Sequence, residues 1–218
     1  MAARKTRASE TAGRARLLDA AVDVIRAQGY SATTVDDICQ RAGLTKGGFF
    51  HHFRSKEECA IAAAAHFAAR ADALFETAPF RRLADPRERV LGYVEFRKSI
   101  LKGALPQFTC LLGTMVQEAY ETHPDIRAAC DRYIGEHAVF VAEDIAEAKA
   151  RYAPDADWTP RSVALFTQSV IQGAFILAKA QGDAKIAADC LDHLQRYLEA
   201  LFARSEAAPP AAHAVKFL

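Results

Sequence analysis

The chain has 218 residues, half of them hydrophobic, with 28 Lys/Arg against 27 Asp/Glu and a formal net charge of +1. That is enough apolar material for one large helical domain with a small one attached. Cys39, Cys59, Cys110, Cys130 and Cys190 are an odd number spread far apart, with no Cys-x-x-Cys pair, which excludes a local zinc motif or a paired disulfide framework and implies a reducing cytoplasm.

No apolar run is seen to approach the roughly 20 residues that span a bilayer, and the Arg-rich start lacks the apolar core of a signal peptide. A soluble, cytoplasmic protein with no membrane partner is expected. The charge is segregated: residues 1–56 hold ten Lys/Arg against five Asp/Glu, and the remainder eighteen against twenty-two. A basic N-terminal part on a near-neutral body fits a head that faces phosphate.

Residues 1–9 carry Arg4, Lys5 and Arg7 without apolar periodicity and are expected to form a flexible basic arm. The spacing of Leu17, Leu18, Ala21, Val22 and Ile25 predicts a first helix from about Thr11 to Gln28, stopped by Gly29. Thr34 with Asp37 forms a capping box for a second helix that Gly43 ends. Only three residues separate Ala42 from Lys46, so a third helix capped by Thr45 leaves at a steep angle, and the pair reads as a helix-turn-helix. Its leading end holds Lys46, Gly47 and Gly48, where small residues allow close approach and a cation meets phosphate, followed by Phe50, His51 and His52.

The run Ala42-Gly43-Leu44-Thr45-Lys46-Gly47-Gly48-Phe49-Phe50-His51-His52-Phe53, with Ser55-Lys56-Glu57-Glu58, resembles the DNA-binding signature of the TetR family of transcriptional repressors over roughly residues 14–60. The resemblance implies that Phe49 and Phe53 are core, that Lys46 and His52 touch DNA and that Lys56 binds a phosphate at the start of the fourth helix. At Phe50 the family usually has a tyrosine whose hydroxyl bonds a phosphate, so one such contact is missing. His51 stands at a variable, often aromatic position.

Ser55 and Glu58 form a second capping box, opening a helix from Lys56 to about Thr77 that joins head to body. Asp85-Pro86 starts the next helix, Pro106 begins a segment running to about Thr122, and Pro124 opens a long helix to Tyr152. Thr159-Pro160 caps a helix to Gln181, and a last one runs from about Ala184 to Ala203. The expected fold is all-α with about nine helices: a helix-turn-helix head over 10–55, an effector-binding and dimerisation body over 56–204, and a disordered tail over 205–218.

The family's architecture implies pairing of the last two helices across a two-fold axis, with Phe166, Val170, Leu194, Leu198 and Leu201 in that interface. Aromatic and apolar positions Phe67, Tyr93, Tyr133 and Phe175, with polar Arg97, Thr114, Glu118, His137 and Gln172, are the candidate effector site, because a polar group in an apolar stripe needs a partner that a ligand can supply. Plain core packing is the competing reading of those stripes. Cys110, ahead of Leu111-Leu112-Gly113, is similar to a cysteine in a subgroup of TetR-family regulators that respond to reactive electrophiles; it is either such a sensor or a small buried hydrophobe.

No His-x-x-x-His, Glu-x-x-His or Gly-rich phosphate loop is present, so neither an enzyme nor a cofactor is expected. The expected function is a homodimeric transcriptional regulator, most simply a repressor, that binds a double-stranded palindromic operator and is released by a small-molecule effector. A helical adaptor that binds only protein is the first alternative, and an all-α enzyme the second.

Overall fold

Four helices begin where a hydroxyl, of Thr34, Thr45, Ser55 or Thr159, accepts from an orphan amide, and three end at a left-handed glycine, Gly29, Gly43 or Gly182. The computed structural model describes the backbone of residues 2–203 and the side chains of residues 10–203. Ten helices follow one another: α1 Ala2–Gln28, α2 Val35–Ala42, α3 Lys46–His52, α4 Lys56–Glu76, α5 Pro86–Ser99, α6 Leu105–Phe108, α7 Leu111–Ala119, α8 Pro124–Tyr152, α9 Pro160–Gln181 and α10 Lys185–Leu201, with a 3-10 turn at Pro79–Arg82. Among the described residues the protein is all-α, as expected.

Three boundaries differ from the sequence reading. Helix α1 starts at Ala2 instead of about Thr11, because Ala2-Ala3-Arg4-Lys5 are strong helix formers and nothing before Gly13 breaks the run. The segment after Pro106 is split: Thr109 and Cys110 are extended, so a short α6 precedes α7 and brings the helix count to ten. The Ser55 box is half-formed. Ser55 Oγ accepts from the Glu58 amide at 3.0 Å, but the Glu58 carboxylate turns to the amide and guanidinium of Arg54, at 2.9 and 3.0 Å. The expected tail over 205–218 lies outside the described residues.

Two apolar cores organise these helices. The first joins α1, α2 and α3 (Leu17, Ile25, Ile38, Phe49, Phe53) to Cys59, Ala60, Ala63 and Ala64 of α4, and continues into Leu111 and Met115 of α7 and Ile126 and Cys130 of α8. The second packs Phe75 at the far end of α4 against α5, α8, α9 and α10. The head therefore shares its core with the body. Cys110 and α4 touch both cores.

A charge cluster fixes α5 and the 3-10 turn to α8. Asp144, with only 9 % of its side chain exposed, accepts from Arg81 and Arg89 at 2.7 Å each, and Arg89 also pairs with Glu147. Removing the one carboxylate would leave Arg81 without its ion-pair partner and the largely buried Arg89 with only the solvated Glu147. Asp144→Ala is therefore expected to cost about 3 kcal/mol, read as a lower urea midpoint at unchanged slope. A loss below about 1 kcal/mol would mean that water already screens the cluster.

Helix α9 corrects the expectation about apolar runs. By length and composition it is apolar enough to cross a membrane, although less than half of it is buried inside the chain. Thr167, Gln168, Ser169 and Gln172 interrupt the run without lowering its mean hydropathy much. The helix packs on α8 and α10, leaving an apolar strip outside.

Candidate nucleic-acid interface and effector cavities

The helix-turn-helix is built from local hydrogen bonds. Thr34 Oγ1 accepts from the Asp37 amide at 3.2 Å, while the Asp37 carboxylate accepts from the Thr34 hydroxyl at 2.7 Å and the Thr34 amide at 2.8 Å; the hydroxyl bond first, and then the amide bond, hold the exposed Asp37 carboxyl below the usual range. Gly43, at φ 62°, ends α2 in a Schellman turn, with its amide on the Gln40 carbonyl and the Leu44 amide on the Cys39 carbonyl. Arg16 of α1 closes the same turn through the carbonyls of Ala42 and Gly43. Thr45 Oγ1 then accepts from the Gly48 amide at 3.1 Å and starts α3.

With Phe49 and Phe53 buried, α3 presents Lys46, Gly47, Phe50 and His51 on one outward face. Phe50 is 55 % exposed and stands edge-on to Phe49. Lys46 pairs with Asp36 at 2.9 Å, and both are solvated. His52 and Gly48 sit at the boundary. The His52 ring lies beside Gly13 of α1, and burial, then His51 and Arg14, lower its pKa.

Lys56 is differently engaged from what the resemblance implies. Its ammonium donates to the carbonyls of Tyr30 and Thr33, at 2.9 and 2.8 Å, and lies 4.3 Å from the Tyr30 ring centre; burial lowers its pKa. Two of its three donors thus hold the α1–α2 connection to the start of α4.

The body contains connected cavities. A void of 70 Å³ is lined by Phe67, Arg97, Tyr133, His137, Gln172 and Phe175, and a second space of 240 Å³ by Thr114, Glu118 and Lys179. Cys110, Gln172 and Phe175 belong to both. Tyr93 lies behind the first void as a hydrogen-bond hub. Its hydroxyl accepts from Arg97 Nε and Gln168 Nε2 at 3.0 Å each, so its own proton goes to His137 Nε2 at 2.9 Å. His137 is then neutral with its proton on Nδ1, which agrees with a pKa pushed down to about 3 by burial and by Arg97.

Cys110 caps α7: its sulfur accepts from the Gly113 amide at 3.5 Å, so the helix starts just after Cys110 and not before it. It is half-buried, whereas Cys39, Cys59 and Cys130 are buried. Burial pushes the thiols of Cys59 and Cys130 up to about 12. Lys179 lines the larger space together with Cys110.

Glu118 and Lys179 reach out of the cavity into the head. Glu118 accepts from the Ser31 amide at 2.7 Å, and Lys179 donates to the Arg26 carbonyl at 3.2 Å and to Thr114 at 3.0 Å. Gly29, at φ 89°, lets Glu118 approach, since a Cβ there would collide with its carboxylate. Gln168, Lys179, Phe75 and Phe108 line these cavities, and Arg26 a cleft beside them, and sequence reasoning missed all five. For Arg26 a signal existed: Leu18, Val22 and Arg26 follow at four-residue steps, placing a cation at the end of an apolar stripe.

Two of the proposed interface residues need correcting. Leu194 and Leu198 are buried in the chain's own second core, because α10 turns its leucine stripe inward onto α5 and α9. Val170 and Leu201 are half-buried beside that core. Phe166 is 43 % exposed and stacks at 4.8 Å on Tyr197, in a strip with Leu165, Ile176 and Leu177.

Residues 17–63 match the model of the bacterial regulatory proteins of the TetR family, and residues 86–193 match that of the C-terminal domain of LmrA/YxaF-like transcriptional regulators. This chain belongs to the TetR family. It is a DNA-binding transcriptional regulator, not an enzyme. Among relatives, the HTH-type transcriptional regulator SrpR of Pseudomonas putida is 46 % identical over 56 residues, 26 % of each chain, so that likeness spans about a quarter of SrpR. The transcriptional regulator AcuR of Cereibacter sphaeroides is 28 % identical over 175 residues, covering 76 % of this chain and 75 % of AcuR. A TetR-family regulator from Chloroflexus aurantiacus shares the fold, with a TM-score of 0.76, 24 % identity and coverage of 88 % of this chain and 96 % of that one.

The outward face of α3 generates a direct test. Lys46→Ala is expected to weaken binding to any DNA sequence and to reduce the slope of log affinity against log salt by about 1. An unchanged slope in fluorescence anisotropy titrations would remove Lys46 from the phosphate contacts.

Proposed function

We propose that this TetR-family chain is a cytoplasmic homodimeric repressor, that the faces of two α3 helices read a palindromic operator, and that a small molecule in the body cavities releases it. The observation that carries this reading is that cavity-lining residues hold the head directly. Glu118 and Lys179 line the same space as Gln172 and Phe175, yet bond the Ser31 amide and the Arg26 carbonyl. A ligand that moves α7 or α9 therefore pulls on the last turn of α1 and on the α1–α2 connection, to which Lys56 also ties α4.

Release follows from competition between states. Two heads set about 34–36 Å apart fit successive major grooves on one side of the duplex. A ligand that prefers a body with another spacing shifts the population from DNA by its differential affinity. The exposed strip of Phe166, Ile176, Leu177 and Tyr197 supports a partner copy on α9 and α10, since a contiguous apolar patch on a soluble protein marks an interface.

DNA selected from a random pool tests the reading. Two-fold symmetric sites bound by a dimer are expected, and Phe166→Glu should sediment as a monomer and bind them more weakly. Asymmetric half-sites bound by a single chain, with Phe166→Glu behaving as wild type, would sink both the palindrome and the dimer.

A second route to release is favoured by the placement of Cys110. A sulfur at a helix N-cap, lining two cavities with Lys179 on the wall of one, is positioned to add to the β-carbon of an activated alkene: the S–C bond forms as the C=C π bond breaks, and the thiol proton, relayed by water, ends on the α-carbon. The adduct would fill the junction of the two cores. N-Ethylmaleimide is expected to release operator DNA from wild type and not from Cys110→Ser; equal release from both, or from neither, would leave Cys110 as a packing residue.

A further inference from the structure

We infer that the effector is a small organic anion, a monocarboxylate with an aromatic or aliphatic body, held between Arg97 and Arg26 in the cleft where head meets body. The inference rests on the reading that the body binds an effector, and it names the effector's chemical class. The cleft has a volume of 390 Å³ and lies among Arg26 of α1, Phe67, Arg70 and Phe75 of α4, Arg97 of α5 and Phe108 of α6. Phe67, Phe75, Arg97 and Phe108 also line the 70 Å³ void, so the two spaces adjoin.

Its charges do not cancel. Arg70 is paired with Asp19 at 2.6 Å, and Asp23, the one acid lining this cleft, is held by Arg41 at 3.1 and 2.6 Å. Arg97 and Arg26 have no carboxylate at ion-pair distance among the described residues. Arg97 has only neutral partners: Tyr93, His137 and the face of Phe75, 4.7 Å away. Arg26 stands over Phe67 at 5.6 Å with its Nε buried and without an acceptor, while Asp23 acts on it from farther off.

Asp72, which also lines the adjoining void, makes no ion pair with Arg97. Its own pKa is raised by burial and by Glu136 and Glu76.

Two cations short of counter-charge, separated by aromatic walls, select the ligand by sign and shape. A neutral aromatic would leave both guanidinium charges without a counter-ion, and a cation would meet three arginines. A carboxylate gives a guanidinium the planar, paired acceptor that its fork fits, and its ring or chain covers Phe67 and Phe108.

The test uses the full chain with benzoate, 3-phenylpropionate and octanoate, each compared with its amide, in titration calorimetry and thermal-shift measurements. At least one carboxylate should bind, its amide should bind about tenfold or more weakly, and Arg97→Gln and Arg26→Gln should each weaken the carboxylate by a similar factor. Arg97→Lys, which keeps the charge and loses the fork, should fall between. An amide that binds as well as its acid, failure of all three carboxylates to bind at millimolar concentration, or wild-type affinity in both glutamine variants would overturn the anion site. Operator binding separates the two readings. A carboxylate that binds through Arg97 without changing operator affinity keeps the anion site and ends the effector reading, whereas release by neutral or cationic compounds alone ends the anion and keeps the effector.

Discussion

Everything in this molecule depends on α4 running unbroken through both apolar cores. Its first half is a face of small residues, Cys59, Ala60, Ala63 and Ala64, all almost fully buried, which lets α1 and the head pack closely. Its last turns carry Phe75 into the second core, among Tyr93, Phe96 and His137. Close-packed interiors transmit displacement instead of absorbing it. The head therefore cannot swivel independently: a shift in the body reaches it as movement of a rigid rod, guided by the Lys56, Glu118 and Lys179 bonds at the rod's flank.

Much of the head was legible because its determinants are local. Thr34 with Asp37, Gly43 and Thr45 act within five residues of themselves, and Phe49 and Phe53 are one turn apart on the buried side of α3. What sequence spacing hides is the identity of the neighbour. Lys56 looks like a free cation until the carbonyls of Tyr30 and Thr33, more than twenty residues upstream, are seen to take two of its donors. The leucine stripe of α10 announces an apolar face, but whether it meets its own α9 or another copy is a tertiary fact. Helix α9 is apolar on two sides, so its outer strip was obscured by its inner one.

The cavity group was partly visible as polar residues set in apolar stripes. Arg97, His137 and Gln172 were found in that way, and their surroundings give them distinct parts. Tyr93 joins Arg97, Gln168 and His137 into a set satisfied without any net negative charge, so the polar wall can stay dry and rigid while its one formal charge remains uncompensated. Arg26 escaped notice because its aliphatic stem continues the apolar stripe of α1 and only its tip differs.

The charge cluster around Asp144 gives the two halves of the body unlike responses to heat. Charged groups lose hydration free energy on warming, so the penalty for keeping Asp144, Arg81 and Arg89 out of water shrinks, while apolar burial per unit area levels off. The region where α5 and the 3-10 turn meet α8 is thus held by a force that weakens less with temperature than the packing around Cys110. On approach to the melting point, loosening should begin at the cavity junction, leaving the Asp144 end as the last ordered remnant and the template from which the chain re-forms on cooling.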